Sequence, residues 1–182
     1  MLVQLSGVPG SGKSTIARSV AGATGFVVVD TDVLKSSIID SGVTIAAAGP
    51  VTYAAALALA EDLLEQGRGV LLDSPCRYQD LLDSGRQIAH ADGVRYAFIE
   101  LWVQDWSAVM ARLDARSPRP SQVASATAPV PGTEWEFGTA EETLATWQTQ
   151  LVRPEHDWLR LNAESAANQN LSAALRYLSP HQ

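Results

Sequence analysis

The sequence predicts an α/β protein in which helices cover both faces of a parallel sheet, giving three layers. Short runs of apolar and β-branched residues, typical of buried parallel strands, alternate along the chain with longer segments of helical periodicity. A glycine-rich pattern typical of phosphate binding lies between the first such run and the first helical segment. The composition, 46% hydrophobic and 18% charged residues, is that of a globular protein.

The glycine-rich pattern runs from Gly7 to Ser14 and matches G-x-x-x-x-G-K-[ST]. A buried strand is predicted over residues 2–6, and a helix is predicted to begin at Thr15. In such a loop the backbone N–H groups and the positive end of the helix bind phosphate, the lysine reaches the β and γ phosphates, and the hydroxyl holds Mg²⁺. A glycine-rich turn without a ligand is the alternative. The expected nucleotide contacts are Gly7, Gly10, Ser11, Gly12, Lys13, Ser14 and Thr15.

Acidic residues follow the second and third predicted strands. Asp30 and Asp32 come after the β-branched run 26–29, and Asp73 closes the run 70–73. Carboxyl ends of parallel strands meet at the edge where the phosphate loop lies, so we expect all three near the phosphates. Asp32 is predicted to act as a general base toward a substrate hydroxyl, with a helix N-cap as the alternative, and Asp30 is expected beside it at the substrate. Asp73 fits a Walker B position that orients Mg²⁺.

Three arginines are candidates for binding anionic groups. Arg77 follows Asp73 by four residues and is suited to clamp an anionic substrate group, or is a solvated loop residue. A helix predicted over 105–115 places Arg112 and Arg116 one turn apart on a single face. These two are suited to stabilise the transferring phosphoryl group, or they belong to a solvated helix face.

A segment rich in proline and glycine, residues 117–138, follows these arginines. Long loops of this kind are commonly lids or disordered, and the aromatic residues Trp135 and Phe137 favour a lid that docks on the rest of the protein. We place the lid over about 112–138 of a single domain that spans 1–182. The other predicted elements are strands over 95–102 and 158–161 and helices over 33–40, 51–66, 81–91, 139–152 and 168–178.

Composition excludes several classes of function. The net charge is −7 and basic residues are not clustered, which argues against nucleic acid as a routine partner. The single cysteine, Cys76, cannot form an internal disulfide, and we expect it to be a packing residue. No apolar run is long enough to span a bilayer, so no membrane partner is expected. The first predicted strand begins at once, which predicts no signal peptide and a cytoplasmic protein; a homodimer is a possible assembly.

The sequence resembles the P-loop small-molecule and nucleotide kinases of the adenylate-kinase-like superfamily, whose sheet order is 2-3-1-4-5. Within that group it is most similar to compact kinases such as chloramphenicol phosphotransferase, zeta-toxin-type kinases, gluconate kinase and the kinase domain of polynucleotide kinases. Asp32-Val33-Leu34-Lys35 matches the position of a D-x-x-R pattern in these families. The resemblance implies that Asp32 binds or deprotonates the acceptor hydroxyl, and that Lys35, in place of the usual arginine, contacts the substrate.

Two more segments carry the resemblance. Residues 73–77 are similar to the D-G-x-P-R segment of adenylate kinases, and Arg112 and Arg116 match the R-x-x-x-R that opens the lid. The resemblance implies transfer of the γ-phosphoryl group from ATP, with Mg²⁺, to a hydroxyl or phosphate of a nucleoside, nucleotide, antibiotic or other secondary metabolite. Tyr53 and nearby aliphatic residues are expected around the acceptor. The alternatives are a non-catalytic nucleotide-binding regulator and a polynucleotide or toxin-type kinase.

Overall fold

The computed structural model describes residues 1–179, which contain five strands and seven helices. Every predicted strand and helix is present, several with shifted ends. The strands, β1 to β5, span Leu2–Ser6, Val27–Asp30, Val70–Asp73, Tyr96–Trp102 and Leu159–Asn162. The helices, α1 to α7, span Lys13–Thr24, Thr31–Asp40, Ile45–Glu65, Gln79–Ala91, Trp106–Ala115, Ala140–Gln150 and Ala167–Leu178.

The sheet has the order β2-β3-β1-β4-β5, and every neighbouring pair of strands is parallel, as predicted. In the register, Asp73 lies beside Leu5 on one side and beside Asp30 on the other. The carboxyl ends of β1, β2 and β3 therefore meet at one edge. This edge brings the phosphate loop and the acidic residues after β2 and β3 together.

Helices cover both faces of the sheet, which confirms the three-layer prediction. Alternate residues of β1 point to opposite faces: Val3 and Leu5 pack in one core cluster, and Leu2 packs in another. The first cluster is completed by α1 and α7, through residues such as Ile16, Val20, Ala174 and Leu178. The second is completed by α3 and α4, through residues such as Ala56, Ala60, Leu64 and Leu81.

The start predicted for α3, Val51, is wrong by six residues. The helix begins at Ile45, because the Thr44 side chain accepts a hydrogen bond from the Ala47 N–H and caps the first turn. Pro50 lies inside the helix, where it removes one backbone hydrogen bond. Burial of one helix face against the sheet offsets that loss; its buried residues are Ala48, Thr52, Ala56, Ala60 and Leu64.

The segment between α5 and α6, residues 116–139, contains neither helix nor strand and folds back over the edge of the sheet. Val123 is buried in a third core cluster with Val109 and Leu113 of α5, and Trp135 packs against this cluster. We call residues 116–139 the covering segment. Within residues 1–179, none of the helices is long and apolar enough to cross a membrane.

Candidate active site

The loop after β1 has the tight curvature that phosphate binding requires. Gly7, Gly10 and Gly12 have φ angles of 144°, 79° and 96°, a region that residues with a Cβ rarely adopt. A Cβ on Gly7 would lie 2.8 Å from the Leu101 carbonyl oxygen. Helix α1 begins at Lys13, two residues before the predicted Thr15. The Ser11 hydroxyl is buried in this loop and has no hydrogen-bond partner among the described residues.

Lys13, Ser14 and Asp73 lie together at the start of α1. The Lys13 ammonium donates to the Val8 carbonyl oxygen at 3.1 Å, so it lies across the loop. Asp73 is 3% exposed, and burial raises the pKa of its carboxyl to about 6, although Lys13 and a hydrogen bond with Ser14 oppose this shift. Its Oδ2 atom is buried without a hydrogen-bond partner in the described chain. A carboxylate with a free oxygen beside a hydroxyl is a donor set that suits Mg²⁺.

The two aspartates after β2 have different positions. Asp30 is the N-cap of α2: its Oδ1 accepts hydrogen bonds from the backbone N–H groups of Asp32 at 2.9 Å and Val33 at 3.3 Å. Its other oxygen lies 3.7 Å from Arg18. The N-cap alternative considered for Asp32 is therefore wrong, because α2 begins at Thr31. The carboxylate of Asp32 takes no part in capping the helix and faces a cavity.

This cavity, which we call the inner cavity, has a volume of about 160 Å³ and lies between α2, α3 and the covering segment. Five of the predicted site residues line it, although they come from four separate parts of the chain. They are Asp32, Lys35, Tyr53, Arg77 and Arg116. Asp30 does not line it. Burial of the Tyr53 hydroxyl raises its pKa to about 12, so this group is a neutral hydrogen-bonding partner at neutral pH.

Arg77 is held in place at the wall of the inner cavity. Its guanidinium carbon lies 4.5 Å from the centre of the Trp147 ring, and its Nη2 lies 4.0 Å from Glu136 Oε2. The Trp147 Nε1–H donates to the same Glu136 oxygen at 2.8 Å. These contacts orient the planar guanidinium, which is therefore stacked and not simply solvated.

The prediction that Arg112 and Arg116 share one helix face is wrong. Helix α5 ends at Ala115, and Arg116 continues in an extended conformation with φ −92° and ψ 156°. Arg116 donates to the Val123 carbonyl oxygen at 2.6 Å, and burial lowers the pKa of its guanidinium. Arg112 donates to the carbonyl oxygens of Gly10 at 3.3 Å and Ala163 at 3.1 Å.

The two arginines therefore lie on opposite sides of the phosphate loop. Arg112 lines a separate cavity of about 280 Å³, which it shares with Ser11, Gly12, Thr15 and Ser165 among others. Arg116 lines the inner cavity. The phosphate loop thus separates a space on the Arg112 side from a space on the Asp32 side, an arrangement that can bring two molecules together.

The covering segment supplies polar contacts to Asp32 that the sequence did not indicate. The Gln122 Nε2 donates to the Asp32 carboxylate at 2.7 Å. The Ser121 hydroxyl donates to the Asp32 carbonyl oxygen at 3.1 Å and pairs with the Ser36 hydroxyl at 2.8 Å. No motif marks Ser121, Gln122 or Trp147, because their neighbours in the inner cavity are distant in the chain.

A family model described as an AAA domain matches residues 2–128, which include the phosphate loop, both aspartates after β2, and Gln122. The chain belongs to this family. The match ends within the covering segment, so α6, β5 and α7 lie outside it.

Curated relatives of this AAA domain include uncharacterised proteins of Mycobacterium tuberculosis and Mycobacterium bovis. Each is 26% identical over 175 residues, a match that covers 86% of this chain and 34% of the relative. The chain thus spans about a third of the length of the curated relatives it matches.

Solved structures similar to the AAA domain include three kinases. An unliganded sugar kinase from a Janibacter species is 19% identical with a TM-score of 0.65, covering 97% of this chain and 93% of its own. The APS kinase of Mycobacterium tuberculosis, in complex with AMPPNP and APS, is 18% identical with a TM-score of 0.68. The match covers 97% of this chain and 96% of the APS kinase chain. A gluconokinase from Sinorhizobium meliloti is 20% identical with a TM-score of 0.62, covering 97% and 90%. The AAA domain therefore has a P-loop kinase fold of the adenylate-kinase-like type, as the resemblance implied.

Proposed function

We propose that this AAA domain transfers the γ-phosphoryl group of ATP to a hydroxyl group of a small molecule. The observation that carries the proposal is the position of Asp32: its carboxylate faces a cavity at the same sheet edge as the phosphate loop. The kinase fold, shared with a sugar kinase, a gluconokinase and an APS kinase, supports a phosphotransferase.

The donor would bind at the phosphate loop. Its backbone N–H groups and the start of α1 are arranged to hold phosphate, and Lys13 can exchange the Val8 carbonyl for a phosphate oxygen. Arg112, on the far side of the loop, is placed to contact the same nucleotide. Ser14 and Asp73 are the residues that would hold Mg²⁺, since the unpaired Asp73 oxygen fits a cation. When bound, Mg²⁺ neutralises charge on the phosphates.

Asp32 would act as the general base. One carboxylate oxygen is fixed by Gln122, which leaves the other to accept a hydrogen bond from the acceptor hydroxyl. As the acceptor oxygen bonds to the γ-phosphorus, its proton passes to Asp32 and the bond from phosphorus to the bridging β–γ oxygen breaks. ADP and the phosphorylated acceptor are the products. Arg116 at the cavity wall is placed to stabilise charge on the transferring group.

The charges around the inner cavity indicate an anionic acceptor. Its lining includes three cationic side chains, from Lys35, Arg77 and Arg116, and a single carboxylate, from Asp32. Burial lowers the pKa of the Arg116 guanidinium, and the nearby Asp32 carboxylate opposes that shift. A carboxylate or phosphate on the acceptor would supply negative charge that pairs with these cationic side chains. Among the acceptor classes that the resemblance implies, nucleotides therefore fit better than neutral nucleosides or antibiotics.

The test is transfer of γ-labelled phosphate from ATP·Mg²⁺ to a panel of sugars, sugar acids, nucleosides, nucleotides and hydroxylated antibiotics. We expect labelled product with anionic acceptors. Arg77→Ala should raise KM for an anionic acceptor about tenfold or more while changing KM for ATP little. The matched control is Arg119→Ala, which removes an exposed arginine that does not line the cavity.

Two results would contradict the proposal. Nucleotide binding without any labelled product across the panel would favour a non-catalytic nucleotide-binding regulator. Product formed only with an oligonucleotide, with affinity that falls steeply as salt rises, would favour a polynucleotide kinase. If a neutral acceptor is phosphorylated and Arg77→Ala leaves its kcat and KM unchanged, the protein is a kinase but its acceptor is not anionic.

A further inference from the structure

A second cavity continues outward from the inner cavity, between α3 and the start of α4. We call it the outer cavity; its volume is about 540 Å³. Lys35, Gly49 and Tyr53 line both cavities, so the two spaces meet at these residues. These shared residues place the outer cavity directly beside the space that Asp32 faces.

The walls of the outer cavity are mainly apolar and aromatic. Tyr78 and Tyr53 form an edge-to-face pair, with ring centres 5.9 Å apart and an interplanar angle of 78°. Tyr78 is 56% exposed and is the most exposed of the large hydrophobic side chains in the described chain. The aliphatic part of the wall comes from Ile45, Pro50, Leu57 and Leu81. Such a surface favours an aromatic ring over a hydrated, flexible chain.

On these grounds we propose that the outer cavity is a subsite for an aromatic or heteroaromatic ring of the acceptor, whose anionic, hydroxyl-bearing part occupies the inner cavity. This inference rests on the proposed function, because it describes the acceptor of the same reaction. The acceptor is thus bipartite, with its hydroxyl at Asp32 and its ring beside Tyr78.

Another cavity meets the inner one on the side of the covering segment, and its lining argues against the ring lying there. It includes Trp135 and also two carboxylates, from Glu134 and Glu136, whereas the outer cavity has a single one, from Asp80. Each carboxylate disfavours an anionic molecule. Its walls come largely from residues 123–136 of the covering segment. The outer cavity is instead built on helices α2, α3 and α4, which hold its shape before a ligand arrives.

The test uses calorimetric titration of the full chain saturated with AMPPNP. The probes are two matched pairs, glucuronate with phenyl glucuronide and ribose 5-phosphate with adenosine 5′-monophosphate. In each pair the members share an anionic, hydroxylated part, and only the second carries a ring. We expect the ring-bearing member of at least one pair to bind about tenfold to a hundredfold tighter, the effect of burying one ring.

Variants locate the ring. Tyr78→Ala, at an exposed position, should reduce the ratio of the two affinities within a pair by about tenfold. The affinity of the ring-free member should stay unchanged. Trp135→Ala, in the other cavity, is the matched control and should leave the preference intact. Gly49→Leu places a side chain at the junction, where a Cβ meets nothing within 4 Å, and should remove the tight binding of the ring-bearing member.

Equal affinities within both pairs would overturn the inference, as would a preference that Trp135→Ala abolishes and Tyr78→Ala does not. Transfer of labelled phosphate, measured on the same pairs, separates this inference from the proposed function. If both members of a pair give labelled product with equal kcat/KM, the proposed kinase function is supported and the ring subsite is excluded. Ring-dependent binding that Tyr78→Ala weakens, without labelled product, supports the subsite and excludes the transfer reaction.

Discussion

Asp32 in the first turn of α2 and Gln122 in the covering segment are joined by a hydrogen bond of 2.7 Å, although 90 positions separate them in the chain. The covering segment thus contacts the proposed general base directly. Its Gln122 amide fixes one oxygen of the carboxylate proposed as the general base, so the position of that base depends on how the segment folds.

Replacing Asp32 should abolish transfer without unfolding the protein. Asp32→Asn removes the base but keeps an oxygen that can accept from Gln122, so we expect kcat to fall by about 10² to 10⁴ with ATP affinity retained. The matched control is Asp30→Asn, since asparagine also caps helices and α2 should stay intact. Similar losses of kcat in both variants would contradict the separate positions that the structure gives to these aspartates.

Gln122→Ala tests the positioning of Asp32. Without the amide, the carboxylate can rotate away from the acceptor, so we expect kcat to fall by about tenfold while KM for ATP stays the same. Steady-state kinetics with the best acceptor of the panel measure both parameters. Because the Gln122 amide is not ionisable, a shift in the pH profile of kcat in this variant would report a changed environment of Asp32. An unchanged kcat and pH profile would show that Gln122 has no part in positioning.

Two glycine substitutions should have opposite effects on stability. Gly7→Ala combines a φ of 144° with a Cβ 2.8 Å from a backbone oxygen, which cannot move aside, so the free energy of unfolding should fall by about 1–3 kcal/mol. Nucleotide binding should fall with it. Gly22→Ala lies on the exposed face of α1 with nothing within 4 Å of the new Cβ, and should stabilise by about 0.5–1 kcal/mol. Denaturant unfolding of both variants provides the measurement.

The buried carboxylate of Glu100 depends on Arg153, whose Nε and Nη2 donate to it at 2.8 and 2.6 Å. Glu100 is fully buried, so Arg153→Met should destabilise the protein by about 3–5 kcal/mol by leaving a buried charge without its main partner. Adding Glu100→Leu to this variant should recover much of the lost free energy of unfolding. Arg18→Ala, which removes an exposed arginine 3.7 Å from Asp30, should cost no more than about 1 kcal/mol. Thermal and urea unfolding distinguish the two pairs.

Cys76 should be unreactive in the folded protein. The side chain is fully buried, and burial raises the pKa of its thiol to about 12 from 9.0. At pH 8 the thiolate fraction is on the order of 10⁻⁴, so iodoacetamide should label Cys76 only after denaturant is added. Since the folded pKa is the higher one, this stabilising contribution is complete below pH 9 and is lost as pH rises from 9 to 12. Cys76→Ala should show a smaller loss of unfolding free energy over that range.

The strands were predictable because each is a short apolar run whose burial between two helix layers requires that composition. The residues at which the helices begin and end were harder to predict. The helix was predicted to begin at Val51, yet the Thr44 cap and the packing of the alanine-rich face allow α3 to begin earlier. Asp32 resembled an N-cap, yet the backbone leaving β2 places Asp30 at that position.

The candidate site divides in the same way. The phosphate loop and the acidic residues after β2 and β3 were predictable because each lies directly after a strand whose end faces one edge of the sheet. Arg116 was assigned to a helix face that ends one residue before it. Gln122, Ser121 and Trp147 were not predictable, because nothing in a loop rich in proline and glycine indicates where it will fold.

Local composition and the geometry of parallel strands were enough to predict the fold, the phosphate loop and the carboxylates at the sheet edge. Three relationships emerged from the folded protein alone: Arg112 and Arg116 face different cavities, Gln122 holds Asp32, and an aromatic outer cavity adjoins the inner one. Those relationships depend on contacts between segments that are far apart in the chain, and such contacts leave no local pattern.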